Sequence, residues 1–182
     1  MKIGIAGAGG LGSNVALNLV RMGVKEFFIC DFDKVEKSNL NRQFYFEDQI
    51  GEYKAEAIVV NLLKIDSTCK IVSMVVKVEK KNLRKLFDEC DIIVEAFDSA
   101  EYKKMIIEEY LNSDKILVSA SGVADYDLDL IRERKFGKNC FIVGDFNKDC
   151  KIFATYSTKI TYIAAQMTDI VLREGRFYDR GI

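Results

Sequence analysis

The sequence predicts an α/β fold with a doubly wound, mostly parallel sheet and helices on both of its faces. Short apolar runs alternate along the chain with longer segments of helical periodicity, which is typical of βαβ units. A glycine-rich turn follows the first apolar run, and residues 91–96 are a nearly continuous apolar run, as expected of a strand covered on both faces. Ligands of such folds bind at the carboxyl ends of the strands, where the strand order reverses.

The individual elements are predicted from these runs in chain order. We expect strands at residues 2–6, 27–30, 71–78, 91–96, 116–120, 141–143 and 152–156, with the last two as candidates for antiparallel pairing. We expect helices at residues 11–22, 52–65, 80–89, 100–111 and 160–173, where apolar residues recur with a period of about 3.6. Residues 1–174 are predicted to form a single domain, and the polar, glycine-punctuated residues 175–182 a mobile tail.

The composition excludes several kinds of chemistry. The chain of 182 residues contains no histidine, so it cannot use a Ser-His-Asp triad, a His metal ligand or a His general base. Lys and Arg number 27 against 28 Asp and Glu, and a net charge of −1 argues against a nucleic-acid binder that relies on overall basicity. Any reaction therefore depends on carboxylates, lysine, arginine, backbone N–H groups, a bound metal or cysteine.

The cysteines are scattered, and no two of them form a Cys-x-x-Cys pair. This spacing favours neither a zinc knuckle nor a thioredoxin-type redox motif. We interpret Cys30, Cys69, Cys90, Cys140 and Cys150 as reduced structural thiols, with a reactive thiolate at the polar turn around Cys150 as the alternative. No apolar run reaches the length of a signal-peptide core or a membrane span, so we expect a soluble, cytoplasmic protein without membrane partners.

A glycine-rich turn follows the first predicted strand and opens the first predicted helix. Gly7, Gly9 and Gly12 fit the spacing Gly-x-Gly-x-x-Gly. In this context Gly7 permits a tight turn, Gly9 lets phosphates approach the backbone, and Gly12 allows the helix to pack closely on the strand. The N–H groups and the dipole at the start of the helix then favour an anion. The alternative is a glycine-rich turn that binds no ligand.

Polar side chains follow the second predicted strand. Asp31 ends that strand about twenty residues after the glycine turn, where a carboxylate accepts hydrogen bonds from ribose hydroxyls. These two features alone predict an adenine nucleotide, with NAD as the default. Asn39, Arg42 and Gln43 then supply amide and guanidinium donors, and Lys54 adds a point charge. Such a cluster suits a polyphosphate, whereas a nicotinamide ring needs an open apolar slot.

Three sequence features combine into one longer pattern within residues 3–103. They are Gly-x-Gly-Gly-Leu-Gly-Ser, then Asp-x-Asp-x-Val-x-x-Ser-Asn-Leu-Asn-Arg-Gln, then a following lysine. The pattern resembles the family that adenylates ubiquitin-like proteins, which includes ubiquitin-activating enzymes and the bacterial ThiF, MoeB and HesA, and it is most similar to the ThiF branch. The resemblance implies an ATP- and Mg²⁺-dependent adenylyltransferase. Its substrate would be the C-terminal glycine carboxylate of a ThiS-like sulfur carrier protein, ending in Gly-Gly, in thiamine biosynthesis.

The resemblance also implies roles for particular residues. Gly7, Gly9, Gly10 and Gly12 would hold the phosphates, Asp31 and Asp33 the ribose, and Asn39, Arg42, Gln43 and Lys54 the triphosphate. Asp98 matches the family's Mg²⁺-associated aspartate, so Arg42, Lys54 and Asp98 are the catalytic candidates. Asp98 also follows an apolar strand, where one carboxylate with phosphates and waters suits Mg²⁺, although it could instead cap the next helix. Lys103 stands where relatives commonly have arginine.

The chain departs from this family in two respects. It has no Cys-x-x-Cys pairs to bind zinc, and no residue matches the N-terminal arginine that reaches across the dimer in many relatives. We expect a homodimer without zinc, for which the predicted terminal helix offers the apolar residues Ile163, Ala164, Met167, Ile170 and Val171. That face could equally pack on the protein's own sheet. The functional alternatives are a nucleotide-binding regulator without turnover and, less favoured, an NAD-dependent oxidoreductase.

Overall fold

The strands form one sheet with the predicted architecture. The computed structural model describes residues 1–148, 150 and 152–181. The strands are β1 (Lys2–Ala6), β2 (Glu26–Asp31), β3 (Lys70–Val75), β4 (Ile92–Glu95), β5 (Ile116–Ala120), β6 (Arg132–Phe136) and β7 (Cys140–Gly144). Across these described ranges the strand order is β3-β2-β1-β4-β5-β7-β6, and every pair is parallel except β6–β7. The predicted doubly wound α/β fold is confirmed.

Helices cover both faces of this sheet. They are α1 (Gly10–Arg21), α2 (Lys54–Ile65), α3 (Lys80–Phe87), α4 (Ala100–Tyr110) and α5 (Ser157–Glu174). Side chains of α1, α2 and α5 form the larger apolar core on one face, and those of α3 and α4 form a second core on the other. Successive strand residues alternate between the two cores, as Phe27 and Phe28 do in β2. This double coverage explains why the central strands are almost continuously apolar.

The C-terminal part of the sheet differs from the prediction. Residues 152–156 are not a strand: Ile152 is 77% exposed, and Thr155 forms only an isolated bridge with Asp125. Among the described residues, this apolar segment has no neighbouring strand with which to form a ladder. The antiparallel partner of β7 is instead β6, which was not predicted. All of its residues are exposed and four of the five are charged, so it carries no apolar pattern and is typical of a protected edge strand.

The apolar face of α5 lies inside the protein. Its residues Ile163, Ala164, Met167, Ile170 and Val171 all belong to the larger core, where α5 packs against α1. Of the two roles left open for this face, packing on the protein's own fold is therefore the one observed. Phe177 is buried in the same core, and the Tyr178 hydroxyl donates a hydrogen bond to Asp169 at 2.9 Å. The mobility of residues 175–182, the last of which lies outside the described part, stays a prediction.

Most of the cysteines are core residues. Cys30, Cys69, Cys90 and Cys140 are buried, whereas Cys150 is exposed. Burial raises the pKa of the Cys90 thiol and that of the Cys140 thiol to about 11. Such thiols stay protonated at neutral pH and behave as small apolar side chains. Among the helices of the described residues, none is long and apolar enough to cross a lipid bilayer.

Candidate functional site

A cleft opens at the carboxyl ends of the strands, where the strand order reverses between β1 and β4. Its volume is ≈ 590 Å³, and the turns that follow β1, β2, β4, β5 and β7 form its walls. Of the predicted site residues, the following line it: Gly7, Gly9, Gly10, Asp31, Asp33, Arg42, Gln43, Lys54 and Asp98. Gly12 and Asn39 lie outside this lining. Ligands of doubly wound sheets bind at this place.

The glycine-rich turn has a geometry that only glycine permits at two positions. Gly7 has a φ of +93°, and its amide donates to the Cys30 carbonyl at 2.9 Å, which joins the turn to β2. A Cβ atom on Gly12 would overlap the Gly7 carbonyl oxygen, so glycine is required where α1 meets the turn. Ser13 is the first residue of α1 whose amide bonds back, to the Gly9 carbonyl at 3.0 Å. The preceding amides at the helix N-terminus have no partner among the described residues and can therefore bind an anion.

Asp31 is a buried carboxylate that already has two backbone partners. Its Oδ2 accepts a hydrogen bond from the Ala8 amide at 2.7 Å, and its Oδ1 accepts one from the Asp33 amide at 2.8 Å. Burial raises the pKa of Asp31 above its ordinary value, although the two amides and nearby Lys54 oppose that shift. The Asp33 carboxylate is 53% exposed and lies 3.4 Å from the buried Lys54 Nζ. These residues form one acidic corner of the cleft, with a lysine behind it.

The polar segment after β2 is fastened to the glycine-rich turn by side chains that we did not predict as site residues. The Ser13 hydroxyl accepts a hydrogen bond from the Phe44 amide at 3.0 Å, and Asn14 Nδ2 donates to the Arg42 carbonyl at 2.9 Å. The Tyr45 hydroxyl donates to the Ala8 carbonyl at 2.7 Å. Of these three side chains, Ser13 alone could have been predicted from the sequence, because it directly follows the glycine motif. Together these bonds hold the segment in place beside the cleft.

Within that segment, the predicted phosphate contacts have different surroundings. Arg42 Nη1 donates to the Ser38 carbonyl at 3.0 Å and to Asn41 Oδ1 at 2.8 Å. The other N–H groups of the Arg42 side chain have no partner in the described part of the chain and can donate into the cleft. Asn39 Oδ1 accepts from the Glu36 amide at 3.1 Å, which gives Asn39 a local role in capping a short 3₁₀ helix.

Gln43 is the one predicted contact with an unsatisfied buried atom. Its Oε1 has no hydrogen-bond partner among the described residues. A buried polar atom of this kind calls for a ligand or water. The Gln43 NH₂ group is the amide end on the side of the glycine-rich turn, 3.8 Å from where a Cβ on Gly9 would lie, and it is a donor suited to a phosphate oxygen.

Asp98 lines the cleft from the turn after β4, which lies beside Gly7. It is exposed, and no described side chain or backbone amide pairs with its carboxylate. The alternative that Asp98 caps the following helix is wrong, because Ser99 occupies the N-cap position of α4. The described part of the chain contains no cluster of three or more acidic or cysteine side chains that could hold a metal by itself. A single free carboxylate remains compatible with an ion that takes its other ligands from phosphates and water.

Behind Asp98 is a buried ion pair that we did not predict. Glu95 ends β4 with no exposed side-chain surface, and Lys103 Nζ lies 2.9 Å from its Oε2 and 3.3 Å from its Oε1. Ser119 Oγ donates to Glu95 Oε2 at 2.5 Å, and the Phe97 amide donates to Oε1 at 2.7 Å. The available signal was an acid inside an apolar strand, because such an acid needs a cationic partner.

A second buried ion pair supports the far end of the cleft. Lys159 Nζ lies 2.5 Å from Asp145 Oδ2 and donates to the Ala124 carbonyl at 2.6 Å. Burial alone would raise the pKa of Asp145, but the hydrogen bond from Lys159 and those from two backbone amides hold that pKa below its usual value. The pair joins α5 to the turns after β5 and β7, which supply Gly122 and Asn147 to the cleft wall. Neither residue was predicted.

The doubly wound sheet and the glycine turn at its switch point define a Rossmann-like nucleotide-binding protein. Comparison with known proteins identifies the family within this class of nucleotide-binding folds. The chain belongs to the ThiF family, whose sequence profile matches residues 1–167. The resemblance inferred from the motifs is thereby confirmed.

Relatives in this family have diverse names. The chain is 28% identical over 125 residues to the tRNA threonylcarbamoyladenosine dehydratase of Bacillus subtilis. The aligned region covers 68% of this chain and 49% of that protein. It is 32% identical over 142 residues to SUMO-activating enzyme subunit 2 of Dictyostelium discoideum. That aligned region covers 77% of this chain and 21% of the other protein. The chain therefore spans at most about half the length of these two relatives.

Solved structures repeat the same fold. The Escherichia coli tRNA N6-threonylcarbamoyladenosine dehydratase TcdA in complex with AMP superposes with a TM-score of 0.83, over 96% of this chain and 87% of that one, at 18% identity. Escherichia coli MccB with ATP superposes with a TM-score of 0.74, over 93% of this chain and 55% of that one, at 26% identity. The first likeness concerns the fold alone, and the second is close enough to inform a proposal about the ligand.

Proposed function

We propose that this protein is an ATP-dependent adenylyltransferase, which transfers AMP to the C-terminal glycine carboxylate of a ThiS-like sulfur carrier protein ending in Gly-Gly. One observation carries the proposal, namely that groups suited to phosphate and to ribose line the same cleft. The phosphate-binding groups are the amides at the start of α1, Arg42 and Lys54, and the carboxylate suited to ribose is Asp31. This arrangement suits a ribonucleoside polyphosphate better than a dinucleotide with a nicotinamide ring. Family membership and the ATP complex of MccB support it.

ATP fits the cleft in three parts. The phosphates lie against the N-terminus of α1 and are neutralised by Arg42 and Lys54. Asp31 accepts the ribose hydroxyls through the lone pairs that its two backbone partners leave free. The exposed ring of Phe32, next to Asp31 in the cleft wall, offers an apolar surface to the base.

The residues present are adequate for transfer of the adenylyl group. A carboxylate oxygen of the carrier attacks the α-phosphorus of ATP, a new C–O–P link forms, and the bond from the α-phosphorus to the bridging oxygen breaks to release pyrophosphate. The attacking carboxylate is already ionised at neutral pH, so no general base is needed and the absence of histidine is no obstacle. Catalysis then consists of positioning and of stabilising charge on the leaving pyrophosphate, to which Arg42, Lys54 and the helix amides contribute.

Asp98 is the residue that would hold Mg²⁺. Its carboxylate is exposed, unpaired within the described residues and located in the turn after β4, beside the glycine-rich turn. The ion would supply further neutralisation of the phosphates when bound. Asp98 itself would contribute one oxygen ligand, from the residue just before the N-cap of α4.

The partner and assembly are inferred from the family resemblance. A ThiS-like carrier and a role in thiamine biosynthesis follow from the similarity to the ThiF branch, and we place the reaction in the cytoplasm, where ATP is available. A homodimer is also part of this proposal, although the apolar face of α5 is internal and gives it no support. Light scattering tests the homodimer, which an active monomer would contradict.

A second candidate function is dehydration of threonylcarbamoyladenosine in tRNA. It is favoured by the Bacillus subtilis relative, which carries that name. A threonylcarbamoyl group bears a carboxylate, so the same activation by ATP would serve it. The net charge of −1 offers little attraction to tRNA, and we therefore rank the carrier protein first.

Exchange of labelled pyrophosphate into ATP distinguishes these candidates. We expect exchange with a carrier ending in Gly-Gly and none with the matched carrier from which those two glycines are deleted. Exchange with tRNA bearing threonylcarbamoyladenosine, and not with the carrier, would favour the second function. Binding of ATP without exchange on either substrate would indicate a regulator, and tighter binding of NAD than of MgATP would contradict the proposed ligand.

A further inference from the structure

Lys103 and Asp98 line the same wall of the cleft and are close in sequence, yet they form no ion pair. The Lys103 ammonium is instead held by Glu95, at 2.9 Å and 3.3 Å from its two carboxylate oxygens. A lysine near the start of a helix and an aspartate just before it would ordinarily be expected to attract each other. The buried glutamate therefore decides which carboxylate Lys103 neutralises.

Glu95 is well suited to retain Lys103. Its side chain is fully buried, whereas that of Lys103 is 20% exposed. A buried carboxylate without its cation is strongly unfavourable, so Glu95 binds Lys103 more firmly than an exposed carboxylate can. Glu95 also accepts the Phe97 amide at 2.7 Å, which fixes the turn that carries Asp98.

We infer that Glu95 is a positioning residue that keeps the Lys103 ammonium away from Asp98 and so leaves the Asp98 carboxylate free for a divalent cation. This inference rests on the proposed function, because it takes Asp98 as the carboxylate that binds Mg²⁺. If Glu95 is made neutral, Lys103 loses its counter-charge, and Asp98, which no described cation pairs, is the carboxylate closest to it in sequence among those that line the cleft. An ammonium bound to Asp98 competes with the metal for the same oxygens.

The test measures how strongly Mg²⁺ promotes nucleotide binding, without any turnover. Calorimetry gives the affinity of the full chain for α,β-methylene ATP in Mg²⁺ and in EDTA, and the ratio of the two is the metal coupling. We expect Glu95→Gln to reduce this ratio by roughly tenfold or more, the usual effect of losing a residue that orients a metal ligand. We expect the double variant Glu95→Gln with Lys103→Met to restore the ratio, because it removes the competing ammonium.

The double variant separates positioning from structural damage. If Glu95→Gln acts by damaging the buried network, the second substitution should reduce the metal coupling further. If it acts by releasing Lys103 to compete with the metal, removing Lys103 should restore the coupling. Any direct contribution of Lys103 to nucleotide affinity cancels in the ratio. The double variant also replaces a buried ion pair by neutral groups of similar volume, which proteins generally tolerate.

Ser119→Ala is the matched control, since it removes one hydrogen bond to Glu95 at 2.5 Å and leaves the ion pair intact. We expect this variant to keep the metal coupling, with thermal unfolding recorded for every variant. Three outcomes would each overturn the inference. They are an unchanged metal coupling in Glu95→Gln, a metal coupling in the double variant as low as in Glu95→Gln, and a reduction of the coupling in Ser119→Ala equal to that in Glu95→Gln. Failure of the unmodified protein to bind the ATP analogue under either condition would instead overturn the proposed function.

Discussion

The carboxylate of Asp31 accepts a hydrogen bond from the amide of Ala8 at 2.7 Å and so ties the end of β2 to the glycine-rich turn after β1. The second oxygen of Asp31 accepts the Asp33 amide at 2.8 Å. The residue proposed to bind ribose therefore also braces the turn proposed to bind phosphate. Because both tasks depend on one buried carboxylate, its ionisation is coupled to the stability of the fold.

We predict that Asp31 makes the ligand-free protein less stable as the pH rises. Burial raises the pKa of Asp31 in the folded state, so between the unfolded-state and folded-state pKa values the folded protein binds more protons. Its contribution to the free energy of unfolding is therefore fully present below about pH 4, the unfolded-state pKa, and is lost as the pH rises through the folded-state pKa. Urea unfolding across this range should show the difference between the unmodified protein and Asp31→Asn falling with pH.

Glu52→Gln is the control for loss of charge alone, because Glu52 is exposed and is not among the groups that shift the pKa of Asp31. The prediction concerns the fall of Asp31→Asn in excess of this control. A flat difference for Asp31→Asn would mean that burial does not perturb Asp31 in solution.

We predict that Arg42→Ala and Lys54→Ala each slow pyrophosphate exchange sharply. Each removes a preorganised charge beside the phosphates, and the loss of one such contact typically costs about 2–4 kcal/mol of transition-state stabilisation. Lys64→Ala, an exposed position on the same helix as Lys54, is the matched control and should exchange at the unmodified rate. Rates within a few-fold of the control would remove Arg42 and Lys54 from the mechanism.

Local sequence predicts the part of the site that local geometry creates. The turn with Gly7 and Gly12 could be predicted because its spacing encodes a strand, a tight turn and a helix start within a few residues. Asp31 could be predicted because the end of β2 must lie beside that turn in a parallel sheet. For the same reason the alternation of apolar segments predicted the order of helices and strands up to β5 closely.

Contacts between distant elements could not be predicted in this way. Glu95 meets Ser119 only because β4 and β5 are neighbours, and Lys159 meets Asp145 only because α5 passes over the turn after β7. Nothing in the spacing of these residues specifies such pairs. The exposed edge strand β6 was missed because charges replace the apolar alternation by which strands are recognised.

We predict that Lys159→Met strongly destabilises the protein. It leaves Asp145, whose side chain is 1% exposed, without a cation, and breaking a buried pair from one side typically costs about 3–5 kcal/mol. The double variant with Asp145→Asn should recover much of that loss, because the amide oxygen can still accept the Asn147 and Lys148 amides. Urea unfolding checks both variants, and a double variant no more stable than Lys159→Met would contradict the role of charge.

The two glycines of the turn that differ most in their surroundings should separate folding from binding. A Cβ on Gly12 would overlap the Gly7 carbonyl oxygen, so Gly12→Ala must shift the backbone and should cost about 1–3 kcal/mol of stability.

A Cβ on Gly9 would meet nothing closer than Gln43 Nε2 at 3.8 Å, so Gly9→Ala should unfold nearly as the unmodified protein does. Its methyl group nevertheless lies in the cleft where phosphate would approach, and we expect ATP affinity to fall by about tenfold or more, equal to at least ~1.4 kcal/mol. Thermal unfolding and calorimetric titration of both variants are sufficient. Unchanged ATP affinity in Gly9→Ala would mean that the phosphates do not lie against this turn.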